Sequence, residues 1–542
     1  MHSAQASSLR AVPHDRSLDL TLPTPIADRS RVNIDQARSR GRWGAVTLAA
    51  ALLLRPVPML GSQAPADDLL TQAQRLRDAG DLAAAAGILR AQLAQQPENG
   101  DVARLLAQTL YWLKDIEGAT AVYDAALAGH PQDTTLRLQY GRMLAETGER
   151  ARAHDLVTPL QGIPATQTEA TALLGTIAYW DGDLTAAQRH FEAALRADPT
   201  HAEARRQLQE IQVATAPWVR VSSALGRDDQ PLERGALGVE AGWFATPLLP
   251  VTMRVEPATY QLDDSSTRTV LAAEVSVAHV APASRLETQL AGGLLQRSDS
   301  DENLDWTGRA MVGIRLPRHL TFRIRAERTP YLHTTSSLET PVIVHGGIAL
   351  LHWEDPRGWL GEAAYHHQRF PDDNAIRSGY AWQLVPLVHR AGGEFQAGYS
   401  FTAEDADESR FVLSSPAQPY PPGDPRFSTE GHYAPYYTPS HVVTHSVIAA
   451  AAVRAVRGTT LRLGGAYGFH ATEDAPAFVA SLGQVERTMT SRGFSPWNAH
   501  GSFDIAVSRH ATLSATGEHG RTAFYDWSMV GLQVAYRFRA TP

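Results

Sequence analysis

A proline- and tyrosine-rich stretch late in the chain carries the side chains best suited to binding a ligand. It runs from about residue 404 to residue 441. Tyrosine rings among prolines offer rigid apolar faces with hydroxyl donors, the kind of surface on which sugar rings stack. The candidate polysaccharide-contacting residues are Tyr433, Tyr436, Tyr437, Thr438 and Pro439. An ordinary extracellular loop has the same composition, so both interpretations stand at this point.

A second candidate set shares one face of a predicted strand. Arg323, Arg325 and Glu327 alternate with apolar residues such as Phe322 and Ile324. Side chains two positions apart on a strand point the same way, so the three charges lie together. Such a face suits the water-filled lumen of a transmembrane β-barrel, because placing these charges against lipid would cost free energy. We therefore predict that these three residues face the lumen.

The sequence carries no motif that predicts an enzyme. A nucleophile elbow, an HExxH zinc motif and a dinucleotide-binding fingerprint are all missing from it. His366 and His367 are adjacent, but neighbours on a strand point to opposite faces and cannot share a metal. We predict no catalytic residue, no metal and no cofactor.

Length and charge narrow the class of protein. The chain has 542 residues and a formal net charge of −8, so we expect at least two domains and no nucleic-acid partner. No apolar run reaches the roughly 18 to 20 residues that a spanning helix needs. The sequence contains no cysteine, which suits export through an oxidising compartment.

The N-terminal segment resembles an export signal. Arg38, Arg40 and Arg42 precede the apolar stretch Trp43–Leu54, and Ala64-Pro65-Ala66 supplies small residues for a signal peptidase. Residues 1–66 are therefore predicted to be a leader and signal peptide that is cleaved.

A repeat of 34 residues follows the signal. Pro97, Pro131 and Pro199 lie at multiples of this spacing. Small residues recur at the same interval, at Ala85, Ala119, Ala153 and Ala187. This is the tetratricopeptide-repeat (TPR) pattern of two antiparallel helices per unit. We predict a TPR α-solenoid over residues 67–216, with four repeats and a capping helix, which either binds a partner or acts as a spacer.

After Pro217 the apolar period changes from 3.6 to 2. Segments of about ten residues alternate apolar and polar side chains, and turn residues separate them. Aromatic residues lie near many segment ends. We predict an antiparallel transmembrane β-barrel of about 16 strands over residues 217–542, interrupted by irregular stretches at 404–441 and 473–496. A secreted propeller or sandwich is the alternative.

Signal peptide, TPR array and barrel together resemble the exporters of bacterial exopolysaccharides, in particular the cellulose synthase operon protein C family. That family has a Tyr-aromatic-Ser-Pro-Gln motif entering a strand of its barrel. Tyr436-Tyr437-Thr438-Pro439-Ser440 occupies a comparable place here, with Thr in place of Ser and Ser in place of Gln. The family's array is usually many repeats long, whereas four repeats are predicted here.

The resemblance implies outer-membrane export of an exopolysaccharide, in that family cellulose, through a hydrated pore. The barrel would contact outer-membrane lipid and the β-glucan chain. The TPR domain would lie in the periplasm, where it would guide the chain or dock periplasmic or inner-membrane synthase components. The rival function is a non-exporting outer-membrane receptor or assembly module, with a plugged barrel and a TPR domain that recruits protein.

Overall fold

The computed structural model describes residues 66–229, 232–262, 266–281, 284–298, 304–317, 319–340, 342–355, 358–390, 392–455, 458–481, 483–523 and 525–538. Apart from Ala66, the predicted leader and signal peptide lie outside the described residues. The described chain forms two compact units, a helical unit that ends at Ala214 and a β unit that begins at Thr215.

The helical unit consists of helix pairs followed by one further helix. Its helices are α1 Ala66–Asp78, α2 Leu82–Gln95, α3 Gly100–Trp112, α4 Ile116–Gly129, α5 Thr134–Thr147, α6 Arg150–Val157, α7 Gln167–Trp180, α8 Leu184–Ala197 and α9 Ala202–Ala214. The first eight form four antiparallel pairs, as the repeat predicts. The ninth, α9, packs against α7 and α8 in the place expected of a capping helix.

Acidic residues 34 positions apart begin the second helix of each pair. The carboxylates of Asp81, Asp115 and Asp183 accept hydrogen bonds from backbone N–H groups three residues later, at 3.1, 3.0 and 2.9 Å. Each bond satisfies an amide that the helix itself leaves unpaired, and each stabilises the helix by about 1 kcal/mol. Glu149 holds the equivalent place in the third repeat and makes no such bond. Its longer side chain is not among those favoured for N-caps.

The third repeat also has the shortest second helix. α6 contains 8 residues, and a 3₁₀ helix, Thr158–Gly162, continues it. Pro159 lies at the start of that segment and has no N–H to extend the α-helical ladder.

Small and large residues alternate where the helices cross. Phe191 is completely buried, and a Cβ added to Gly175 would lie only 2.6 Å from its ring. Leu89 and Leu144 are also completely buried, and each stabilises the unit by about 2 kcal/mol. The small residues noted in the repeat therefore make room for large neighbours. Among the described residues, no helix combines the length and the hydropathy needed to cross a membrane.

The β unit contains one large antiparallel sheet. Its strands are β1 Trp218–Asp228, β2 Glu233–Thr246, β3 Leu249–Gln261, β4 Thr267–Ala281, β5 Leu286–Arg297, β6 Leu304–Leu316, β7 Leu320–Pro330, β8 Ile343–Glu354, β9 Leu360–Arg369, β10 Ala375–Arg390, β11 Gly393–Ala406, β14 Val442–Arg454, β15 Thr459–Ser481, β16 Gln484–Phe494, β17 Trp497–Ala506, β18 Ala511–Arg521 and β19 Asp526–Arg537. The short strands β12 Phe411–Leu413 and β13 Gly431–Tyr433 form a separate hairpin.

The sheet closes into a barrel of 16 strands, as predicted. β1 pairs with β19 from Trp218 opposite Arg537 to Asp228 opposite Trp527, which joins the two ends. β16 is not part of the ring, because it pairs with the end of β15 beyond the point where β15 pairs with β17. Closure leaves no open edge in the ring, so every strand has two hydrogen-bonded neighbours.

The two rims of the barrel differ in their connections. Because the ring has an even number of strands, β1 starts and β19 ends at the same rim, which we call the proximal rim. None of its connections is longer than the five residues 355–359. The opposite, distal rim carries the long connections, 331–342 and 407–441. The first contains a short helix, α10 Thr335–Glu339.

One predicted loop is wrong. Residues 473–496 do not form an irregular stretch, because β15 and β16 continue as a regular hairpin from Ala471 opposite Phe494 to Ser481 opposite Gln484. Pro476 lies in this part of β15, which has β16 as its only strand partner among the described residues. Proline is tolerated where a strand needs few ladder bonds.

Candidate functional site

The lumen-facing side of the barrel wall is identified by contacts that cross the ring. Leu338, from the connection between β7 and β8, packs with Val270 of β4 and Leu295 of β5. Because β6 and β7 separate this connection from β4 and β5 in the ring, Leu338 can reach those two strands only from inside the barrel. The faces that carry Val270 and Leu295 are therefore the inner faces. Cross-strand partners share a face, so the pairing carries this assignment around the ring.

The outer face is predominantly apolar along the middle of the strands. Leu225, Leu290 and Leu532 are 64%, 65% and 59% exposed, and each points away from the lumen. Trp243 and Trp306 also lie on this face, near strand ends. Trp218 and Trp527, however, have cross-strand partners on the inner face, so the aromatic residues noted in the sequence do not all form an outer girdle.

The three charged residues predicted on one strand all lie on the inner face of β7. Arg323 donates to Glu287 of β5 at 2.5 Å. Arg325 forms an ion pair with Glu327 at 3.1 Å, and His366 of β9 lies 3.9 Å from the same glutamate. Their lumen-facing role stays a prediction, although the geometry is the one it requires.

Similar ion pairs line the inner wall on the strands before β7. They are Arg220–Glu240 at 3.1 Å, Arg234–Glu256 at 2.6 Å and Arg309–Glu274 at 3.5 Å. Each arginine lies opposite or beside a glutamate, so this half of the wall is polar but close to neutral. Such a surface offers N–H donors and carboxylate acceptors to a hydrated solute.

The inner wall formed by β10, β11 and β14 has a different character. Trp382 stands opposite Ser400, and Ser400 opposite Ser446. One step towards the distal rim, Tyr380 and Thr402 form the equivalent pair. Trp382 is buried and packs with Leu384 and Ile448, so this part of the wall is apolar, in contrast to the charged wall.

The connection 331–342 folds into the lumen at the distal rim. Besides Leu338, its Leu332 packs against the cluster formed by inner-face residues of β3, β4 and β5. Thr334 caps α10 with a hydrogen bond from the Ser337 amide at 3.1 Å, which fixes the inward turn. The distal end of the lumen is therefore narrowed by protein from at least one connection.

The connection 407–441 meets the same region from the other side. The ring of Tyr436 stacks on Phe370 at 3.7 Å between centroids and meets Tyr331 edge-on at 6.1 Å. These three rings pack with the inner-face side chains Val344 and Ile376. Three connections that are distant in sequence thus share one aromatic cluster, which we call the distal cluster.

Polar bonds tie the same connections together. The Tyr436 hydroxyl donates to Asp372 at 2.6 Å, and Arg410 donates to the other oxygen of that carboxylate at 2.6 Å. Partial burial acts to raise the pKa of Asp372, but the bonds from Tyr436 and Arg410 hold it below its usual range. Burial and the bond to Asp372 raise the pKa of Tyr436 above its ordinary value.

The other predicted sugar-contacting residues are buried beside this cluster. Tyr433 meets Tyr437 edge-on at 4.9 Å, and Tyr437, Thr438 and Pro439 are all buried. These tyrosines therefore do not form an exposed stacking surface in this structure, because their rings pack on one another and on neighbouring loops. Contact between these residues and a polysaccharide stays a prediction.

The sequence did not indicate Tyr331, Phe370, Asp372 or Leu338 as site residues. Each belongs to a connection with no distinctive motif, and their contacts depend on how these connections fold at the distal rim. Among the described residues, no group of three or more His, Cys, Asp or Glu side chains could hold a metal ion.

A ladder of hydrogen bonds follows the first helices of successive repeats. Tyr111 of α3 donates to Glu146 of α5 at 2.6 Å, and Tyr179 of α7 donates to Glu210 of α9 at 2.8 Å. Burial and the bond to Glu146 raise the pKa of Tyr111. Trp112 stays 46% exposed beside this ladder, with the Arg77 guanidinium 4.5 Å from its ring. The helical unit therefore presents aromatic, acidic and basic groups along one helix layer.

Comparison with known proteins agrees with this architecture. The tetratricopeptide-repeat family model matches residues 76–127. The helical unit is a TPR array. No curated protein matches the chain.

Three solved structures illustrate the similarity. A bacterial polysaccharide outer membrane secretin aligns with 60% of this chain and 99% of its own, at 11% identity and a TM-score of 0.44. The pilF protein of Pseudomonas aeruginosa aligns with 27% of this chain and 66% of its own, at 19% identity and a TM-score of 0.25. YrrB, a TPR protein with an unusual peptide-binding site, aligns with 26% of this chain and 73% of its own, at 20% identity and a TM-score of 0.24.

Proposed function

We propose that the chain is an outer-membrane channel that exports an exopolysaccharide, with cellulose as the specific polymer. The observation that carries the proposal is the closed barrel whose inner wall is lined by arginine–glutamate pairs while its outer wall is apolar. This distribution of side chains suits hydrocarbon outside and water inside.

The two rims of the barrel indicate how it would be oriented in the outer membrane. Short connections and both ends of the barrel lie at the proximal rim, and long connections lie at the distal rim. In bacterial outer-membrane barrels, short turns face the periplasm and long loops face the exterior. The TPR domain precedes β1, so we place it in the periplasm, where it guides the polymer or docks synthase components.

The lumen suggests how a sugar polymer would move. The guanidinium and carboxylate groups of the charged wall would exchange hydrogen bonds with sugar hydroxyls. Since Arg220, Arg234, Arg309 and Arg323 are each already paired with a glutamate, none of these sites would hold the neutral polymer tightly. The half-buried Tyr380, on the opposing wall, would offer its ring to sugar rings, whereas Trp382 beside it is buried. Weak contacts of both kinds favour passage over retention.

A plugged barrel is the second candidate, and one observation favours it. The connections 331–342 and 407–441 pack against the inner wall at the distal rim, and their aromatic cluster would have to move for a polymer to leave. In this case the protein would be a receptor or assembly module, and its TPR domain would recruit protein.

Conductance and export separate the two candidates. The channel should conduct ions in a planar bilayer once the connections 331–342 and 407–441 are loosened, for example in a Tyr436→Phe, Leu338→Ala variant. Deleting the gene should abolish the surface polymer, and cellulase digestion of the wild-type polymer would identify it as cellulose. A surface polymer that persists in the deletion strain would exclude export, and a cellulase-resistant polymer would exclude cellulose alone.

A further inference from the structure

We propose that the outer wall of β7–β9, beside the distal rim, binds the phosphate groups of a lipid headgroup. The site is a basic patch formed by Arg328, His345, His367 and Arg369. The inference rests on the proposed location of the barrel in an outer membrane, but it concerns the lipid-facing surface and not the lumen.

Strand pairing places the four residues side by side on the outer face. Arg328 of β7 stands directly opposite His345 of β8, and His345 directly opposite Arg369 of β9. His367 lies two positions before Arg369, on the same face. Facing side chains on antiparallel strands have Cβ atoms about 5 Å apart, so one anion can reach several of these groups.

Arg328 and Arg369 lie on either side of His345, so two positive charges stand about 10 Å apart, two strand spacings, on this face. Arg369 has a partner, Asp373 at 2.7 Å, but that carboxylate is on an exposed turn with 83% of its side chain accessible. Arg328 has no carboxylate within 4.0 Å among the described residues. Two other outward arginines at this rim are matched, in the pairs Arg377–Asp407 and Arg521–Asp526, both at 2.6 Å.

Trp306 holds the Arg328 side chain in place. The guanidinium carbon lies 4.1 Å from the centroid of this indole, and one of its N–H groups donates to the Trp306 carbonyl. Trp306 is 58% exposed on the outer face, the position in which tryptophan marks the boundary between hydrocarbon and headgroups. The patch therefore lies at headgroup depth.

The surface next to the patch suits acyl chains. Ile324 is 56% exposed on the same face of β7, four residues before Arg328 and closer to the middle of the wall. Tyr365 of β9, two positions before His367, is 51% exposed. A lipid could therefore place its phosphorylated headgroup on the basic patch and its acyl chains on this apolar surface. Arginine suits the headgroup because its planar fork donates two hydrogen bonds to phosphate oxygens.

The proposal is tested by binding to the full chain in detergent. Native mass spectrometry would compare retention of bisphosphorylated lipid A with that of its dephosphorylated form. Wild-type protein should retain the phosphorylated lipid, and the Arg328→Gln, Arg369→Gln variant should bind it at least about tenfold more weakly. The control is Arg227→Gln, Arg521→Gln, which removes the same charge from the same rim on β1 and β18 and should leave binding unchanged.

Three results would overturn the proposal. They are equal retention of both lipids, equal loss in the control variant, and displacement of the lipid by millimolar inorganic phosphate, which would indicate a free-anion site. Binding in detergent does not depend on conductance or export, so a failure of the exporter function would appear in those assays alone. A barrel that conducts but shows no phosphate preference would keep its function and lose this site.

Discussion

The TPR array and the barrel place their apolar side chains in opposite ways. In the array, Leu89, Leu144 and Phe191 are fully buried between helices. In the barrel, Leu290 and Leu532 are mostly exposed on the outer wall, while arginine–glutamate pairs face inward. A single chain would gain nothing by exposing leucines to water, since burying each one stabilises by about 2 kcal/mol. The difference indicates that the two units are built for different solvents.

The largest expected effect contrasts the two faces of one barrel strand. Leu532→Arg puts a charge in the middle of the outer face of β19, whereas Gln533→Arg puts the same charge on the inner face. For a barrel in lipid, the first substitution should cost about 2–4 kcal/mol of unfolding free energy and the second close to nothing. Urea unfolding from phospholipid vesicles measures both, and equal costs would remove the distinction between the walls.

The next prediction concerns packing in the array. Gly175→Ala brings a Cβ to 2.6 Å from the buried ring of Phe191 and should destabilise the array by about 1–3 kcal/mol. Gly87→Ala is the matched control, because a Cβ there has no neighbour within 4 Å. It should stabilise helix α2 by about 0.5–1 kcal/mol. Thermal unfolding followed by helical circular dichroism should shift in opposite directions, and parallel shifts would refute this account of the packing.

A smaller effect is expected in the distal cluster. Tyr436→Phe keeps the ring on Phe370 but removes the bond to Asp372, which is worth about 1 kcal/mol at a partly exposed carboxylate. Local opening should rise about fivefold, so trypsin should cut the 407–441 connection about fivefold faster. The control is Tyr399→Phe, which loses a hydrogen bond to His445 on the outer wall. Trypsin should cut this variant at the wild-type rate.

The pH dependence of the same cluster should be the smallest effect. The folded-state pKa of Asp372 lies below its ordinary value of 3.8, so its stabilising contribution is complete above that value. It is lost only as the pH falls through the lowered pKa. Cleavage of the wild type by an acid-active protease should therefore approach that of Asp372→Asn only below about pH 4. If the cleavage rates of the wild type and Asp372→Asn were already equal at pH 5 or 6, the hydrogen bonds from Tyr436 and Arg410 to Asp372 would be contradicted.

The sequence predicted the regular parts of both units because their signals are local. Ala85, Ala119, Ala153 and Ala187 recur at one spacing because each repeat packs its helices in the same way. Strand number followed from counting alternating segments. The hairpin of β15 and β16 was missed because Pro476 and Gly483 indicate a loop unless the free edge of the extended strand is known.

The distal cluster lay beyond sequence reasoning for a different reason. The sequence indicated Tyr436 because it lies in a stretch rich in proline and tyrosine. Its burial against Tyr331 and Phe370 depends on contacts between residues more than sixty positions apart. Pairing of the consecutive strands from β7 to β14 and the inward folding of their connections, and not any local pattern, bring those rings together. The inner position of Arg323, Arg325 and Glu327 followed from a period of two, which is local, but their ion-pair partner Glu287 did not.

Single-channel recording in a planar bilayer tests the central claim most directly. The claim is that the polar inner wall forms a path for a sugar polymer. The full chain, with its connections 331–342 and 407–441 loosened by Tyr436→Phe, Leu338→Ala, should therefore show steady conductance. Soluble cello-oligosaccharides added to one side should block that conductance reversibly. A barrel that inserts but conducts nothing, or conducts without any sugar-dependent block, would contradict the account.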